Sequence, residues 1–146
     1  MVAEPAHRPG PGRWWARGLL TGYLALGAFV TLRPSPMGRF SRPVTRAVME
    51  ATDQRWAVAF PLVERGGNVL LFVPLALLLC WSLPRRPRWA VWLTCVAGSV
   101  AIELVQALFL PARYPSLVDI ATNSTGAAIG VGLHWLLTRR RTTPPG

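Results

Sequence analysis

The sequence predicts an all-α, polytopic membrane protein with four transmembrane helices, on three observations. Hydrophobic residues make up 51% of the 146, although 16 basic and 6 acidic side chains give a formal net charge of +10. The charges are segregated. Scattered evenly, they would place about 12 in residues 14–32, 66–83, 89–112 and 120–138, and the sequence places two there, Arg17 and Glu103. The basic residues gather outside these stretches, all of them Arg. A nucleic-acid-binding module would spread its charge over a folded, soluble face. Tails and turns are where this chain carries it, which excludes that class and an ordinary soluble globule.

A hydrocarbon core of roughly 30 Å takes about 20 apolar residues to cross as a helix. The first stretch, 14–32, follows Arg8, Arg13 and Arg17, a flank that a secretory signal also shows. No small-x-small cleavage site follows it, so it reads as an uncleaved first span. The connection 33–65 is too long for a turn. Ser41-Arg42-Pro43 offers a helix start, and Val44, Ala47, Val48 and Ala51 then recur at helical spacing, with Trp56 and Phe60 as headgroup-level anchors. An interfacial helix and an irregular loop both fit. The second span, 66–83, contains Pro74, which removes a backbone hydrogen bond and predicts a kink. Arg85, Arg86 and Arg88 mark the next turn as cytoplasmic, as do the Arg-bearing tails. Both termini are therefore expected inside, with residues 1–17 and 139–146 as cytoplasmic tails around a membrane domain, 18–138.

Chemistry-bearing motifs are few. Cys80 and Cys95 form no Cys-x-x-Cys pair and read as small apolar fillers. His7 and His134 lack companions for a metal, and no phosphate loop, dinucleotide fingerprint or nucleophile elbow is present. No cofactor or metal is expected. Gly126 and Gly130 form a small-xxx-small pair suited to close helix packing, within the chain or between copies.

The informative charge is Glu103. An ionisable group within a span is costly and implies a partner. At ~1.5 Å per residue it lies roughly 21 Å from the inner end of the third span, in the outer half of the bilayer. Gln106 shares its helix face. Arg113 lies just beyond the helix exit, Asp119 and Asn123 open the fourth span, and Asn68 opens the second from the same side after Glu64 and Arg65. Four alternating spans thus gather Asn68, Glu103, Gln106, Arg113, Asp119 and Asn123 at one level. These groups read either as a polar pocket open to the outer leaflet or as an interhelical hydrogen-bond network. A guanidinium beside amides would suit a phosphate or carboxylate headgroup.

Three blocks within residues 64–132 carry a resemblance. The first is Asn68-Val69-Leu70-Leu71-Phe72-Val73-Pro74-Leu75. The second is Ser99-Val100-Ala101-Ile102-Glu103-Leu104-Val105-Gln106. The third is Arg113 followed by Asp119-Ile120-Ala121-Thr122-Asn123-Ser124-Thr125-Gly126-Ala127. In order and spacing they resemble the VanZ-like family of small bacterial membrane proteins, named for a member associated with teicoplanin resistance. Ala76 stands where members often have Gly, and residues 113–117 replace a more usual Gly/Arg-rich approach to the Asp. The resemblance implies a multi-span protein of the bacterial cytoplasmic membrane acting at the envelope, and no particular reaction. The leading expectation is a non-enzymatic protein that binds an amphiphile or lipid headgroup and affects glycopeptide sensitivity. An intramembrane enzyme acting on a lipid-linked phosphate, with Glu103 or Asp119 as acid or base, is one alternative. A partner subunit packing through the Gly126/Gly130 face of a homo- or hetero-oligomer is the other. Membrane lipids are the expected surroundings, and no nucleic-acid partner is expected.

Overall fold

The computed structural model describes residues 14–31, 38–109 and 116–139, and they are all-α. The helices are α1 (Trp14–Thr31), α2 (Gly38–Thr52), α3 (Trp56–Ser82), α4 (Arg88–Phe109) and α5 (Leu117–Arg139). Two of them, α3 and α4, are long and apolar enough to cross a membrane. With 18 and 23 residues, α1 and α5 have the length too. Their composition is more polar, with Arg17 in the first turn of α1 and Asp119 and Asn123 early in α5.

The connection 33–65 resolves differently from either simple reading. Its last ten residues are helical and belong to α3, which is continuous through Pro61 and Pro74. Trp56 and Phe60, one turn apart, stack at 5.6 Å. An α2 does form, but it begins at Gly38 and so takes Pro43 into its interior. Its inward face is also not the apolar one. Ser41 and Thr45 are buried, whereas Val44 is 52% exposed. Packing against α3 selects the stripe through Ser41 and Thr45, which the apolar periodicity could not foretell. At Asp53 (φ 52°) the chain adopts the left-handed conformation that ends α2, which Asp tolerates better than most residues.

Successive long helices alternate in direction. At one end Trp15 of α1 meets Trp81 of α3 at 6.0 Å, Trp81 meets His134 of α5 edge-on at 6.3 Å, and Arg88 at the start of α4 donates to Thr138 Oγ1 near the end of α5 (3.4 Å). Arg85, Arg86 and Arg88 sit exposed at this end. The most extensive packing joins α3 to α5, because α5 presents glycine where the helices cross. A Cβ on Gly126 would strike the Val69 carbonyl and come 3.0 Å from Phe72 Cβ; one on Gly130 would strike the Val73 carbonyl and come 2.9 Å from Ala76 Cβ. The small residues permit a backbone approach that any side chain would forbid.

Phe72, Ala76, Cys95 and Ala127 form the core, with Leu75, Trp92 and Ile102 among the residues packed on it. Both cysteines are buried and free, and Cys95 fills the core as a small apolar side chain. Large apolar side chains are instead abundant on the outside, with Leu70, Leu108, Phe109 and Leu117 each more than 70% exposed.

Candidate functional site

The buried stripe of α4 runs Val91, Cys95, Ser99, Glu103, Gln106. Read from the basic end, it passes from apolar to polar. The stripe of α5 does the same in reverse chain order, from Gly130 through Gly126 and Ala127 to Asn123. Opposing chain directions therefore bring the polar ends of both helices together, beside Asn68 of α3.

Asn68, Glu103, Gln106, Asp119 and Asn123 line one cavity of about 510 Å³, with Glu64 and Ser41 on its wall. Five of the six polar residues expected to meet are thus brought together, and Arg113 lies outside the described residues. Pro74 sits lower on α3, below the cavity wall, while Gly126 and Gly130 lie at the closed α3–α5 crossing. Gly66 and Gly67 also border the cavity, and a Cβ on either meets nothing within 4 Å.

The hydrogen bonds show what holds these groups. Asn68 Nδ2 donates to Asp119 Oδ1 at 3.0 Å, joining α3 to α5. Asn123 Nδ2 donates to Ser99 Oγ at 2.8 Å, joining α5 to α4. Ser116 caps α5, its Oγ accepting the Asp119 N–H at 3.2 Å. In a capping box the acid three residues on would reach back to the Ser116 N–H. Here Glu103 takes that role from another helix, its Oε2 accepting the Ser116 N–H at 2.8 Å. Asp119 is thereby free for Asn68. Glu103 is 6% exposed and sits against the N-terminus of α5, where exposed N–H groups favour a negative charge.

Two polar atoms on the cavity's lining residues have no such partner. Asn123 Oδ1 and Ser41 Oγ are both buried without a hydrogen bond, as is Thr45 Oγ1 one turn from Ser41. Buried polar groups are nearly always satisfied, and an unsatisfied one costs about 1–3 kcal/mol.

Next to this cavity lies a second of about 420 Å³, between α1, α3 and α4, bounded by residues such as Tyr23, Gly27, Gly98 and Ala101. The two share Leu71, Phe72 and Ile102. Tyr23 ties α1 into this wall, its hydroxyl donating to the Leu71 carbonyl at 2.6 Å.

Ser41, Ser99 and Ser116 were not singled out as site residues from the sequence. Ser116-Leu117-Val118-Asp119 does carry a capping pattern, and Ser99 lies one turn before Glu103 on the same face. Ser41 carried no local signal, since its burial depends on how α2 docks. Among the described residues no group of three His, Cys, Asp or Glu side chains is placed to hold a metal ion.

No curated protein and no solved structure matches the chain. A family model, VanZ/LLP1, matches residues 20–138, which span α1 through α5 and include every residue of the polar cavity. The chain belongs to the VanZ/LLP1 family.

Proposed function

We infer that this chain is a four-span protein of the bacterial cytoplasmic membrane that holds an amphiphile, its headgroup in the polar cavity and its tail along the apolar one. The adjacency of the two cavities, which share Leu71, Phe72 and Ile102 in their walls, carries this reading. It is the shape and polarity sequence of an amphiphile, polar at one end and hydrocarbon beyond it.

The membrane part is supported by the distribution of side chains. Glu103, Gln106, Asn123, Ser99, Ser41 and Thr45 are buried while Leu70, Leu108, Phe109 and Leu117 are exposed. In water that arrangement forgoes much of the hydrophobic gain of folding; against lipid it costs little, because the surroundings are as apolar as the exposed side chains. Four spans place the Arg-rich turn and both termini in the cytoplasm and open the polar cavity towards the outer leaflet. The membrane domain covers 18–138 between short cytoplasmic tails. Action at the envelope, including on sensitivity to lipophilic glycopeptides, follows from holding an amphiphile at that face.

Lipid that copurifies with the protein, identified by mass spectrometry, tests the binding. The amphiphile should be present on the wild-type chain and depleted in Glu103→Gln at equal folded yield. Reporter fusions after Leu32, Pro84, Ala112 and Gly146 should read outside, inside, outside and inside. A cytoplasmic signal after Ala112 would remove the outward-facing site. If Glu103→Gln were silent and only Gly130→Leu damaging, the polar groups would be helix packing and nothing more.

A further inference from the structure

We propose that the groove between α4 and α5 at the arginine-rich end of the bundle binds an acidic phospholipid, its phosphate on Arg88 and one acyl chain along the groove floor. The site lies at the opposite end from the polar cavity and draws on nothing that the cavity holds.

The groove has a volume of about 420 Å³, and its mouth is cationic and aromatic. Arg88 sits there with its guanidinium 3.4 Å from Thr138 of the facing helix, flanked by the exposed rings of Trp89 and Trp135. Arg139 lies over the Trp135 ring, 5.1 Å from its centroid, which sets a second guanidinium at the rim. One turn deeper the floor is apolar, made by Trp92, Val131 and Gly132. The Trp92 indole is fixed as a wall, because its Nε1–H donates to the Ser124 carbonyl at 3.1 Å. A Cβ on Gly132 would meet nothing within 4 Å, so this glycine leaves room rather than closing a helix contact.

Charge complementarity names the occupant. The acids among the described residues all lie towards the other end: Glu64, Glu103 and Asp119 on the polar cavity, Glu50 late in α2 and Asp53 just after it. Residues 1–13 and 140–146 add four Arg and one Glu in sequence. A phosphodiester supplies the missing anion, and a guanidinium fork matches its oxygens. Basic pockets between spanning helices, rimmed by tryptophan, suit acidic headgroups. A soluble anion would use the mouth and leave the apolar floor bare. In a zwitterionic lipid the headgroup's own cation competes with Arg88 for the phosphate. A phospholipid with net negative charge uses both mouth and floor.

The test uses the full chain in a non-ionic detergent, with native mass spectrometry counting phosphatidylglycerol or phosphatidylcholine retained on the protein. One phosphatidylglycerol should bind saturably per chain, and more tightly than phosphatidylcholine. Arg88→Gln should weaken phosphatidylglycerol about tenfold, the loss of one charge-assisted contact. Arg85→Gln, in the same turn but outside the groove, should change it less than about threefold. Gly132→Leu, which fills the floor without altering charge, should weaken it as much as Arg88→Gln at unchanged melting temperature. Equal retention of the two lipids would overturn the proposal. So would equal weakening by Arg85→Gln and Arg88→Gln, which would mean a diffuse basic surface. Should Arg88→Gln fail to fold, Gly132→Leu decides alone, and full retention by that variant would overturn it. A dimer that Gly132→Leu breaks, with no lipid retained, would give the groove to a second copy of the chain instead.

Discussion

Two glycine pairs show how differently the two ends of this helical bundle are built. Gly126 and Gly130 lie where α5 crosses α3, and an added Cβ at either would fall on a backbone carbonyl. Gly66 and Gly67 lie on α3 at the polar end, border the cavity, and would give a Cβ open space. One pair lets two backbones close on each other. The other removes side chains from a helix wall and leaves room. Glycine inside a helix costs roughly 1 kcal/mol relative to alanine. At the crossing that cost is offset by packing; at the cavity no contact among the described residues offsets it, which is the pattern expected where the vacated space is used.

The contrast can be broken most severely at the crossing. Gly130→Leu should abolish folded protein or lower its stability by about 3 kcal/mol or more, since the neighbour that must yield is backbone rather than a flexible side chain. Thermal unfolding in detergent and the monodisperse yield would measure this. A variant as stable as wild type would mean that α3 and α5 do not approach as described.

Smaller effects sharpen the other side. Ser116→Ala removes the cap of α5 and should cost about 1 kcal/mol, seen in the same unfolding measurement. Because Glu103 holds the Ser116 N–H, hydrogen exchange should show the first turn of α5 opening faster in Glu103→Ala as well. Uniform exchange along α5 in that variant would contradict the interhelical cap. Gly67→Ala should be the mildest, neutral or stabilising by about 0.5–1 kcal/mol. A loss of stability there would show that the position is crowded after all.

The sequence made some of this legible and concealed the rest for physical reasons. That the chain is all-α followed from long apolar runs, and the meeting of Asn68, Glu103, Gln106, Asp119 and Asn123 followed from alternating helix direction alone. The start of α3 was hidden because Pro61 and the Gly66-Gly67 pair are residues that normally interrupt helices and Glu64-Arg65 ends the apolar run, yet α3 runs through them all. The face by which α2 packs on α3 was not legible, because an apolar periodicity marks a stripe without saying which stripe a neighbouring helix covers. Where the outside is itself apolar, Val44 loses nothing by facing it and Ser41 can line a polar cavity. Glu103 was recognised as a charge that needs a partner. That its partner is the capping residue of a different helix depends on how the start of α5 meets α4, which no spacing rule contains.

The central claim is that the room beside Gly67 is occupied by a ligand rather than left empty. Native mass spectrometry of the full chain taken directly from its membrane, comparing wild type with Gly67→Leu, tests it most directly. The leucine starts in open space and extends into the cavity, so folding and melting temperature should be preserved while the bound amphiphile falls about tenfold. Equal occupancy in the two proteins, at equal stability, would contradict it.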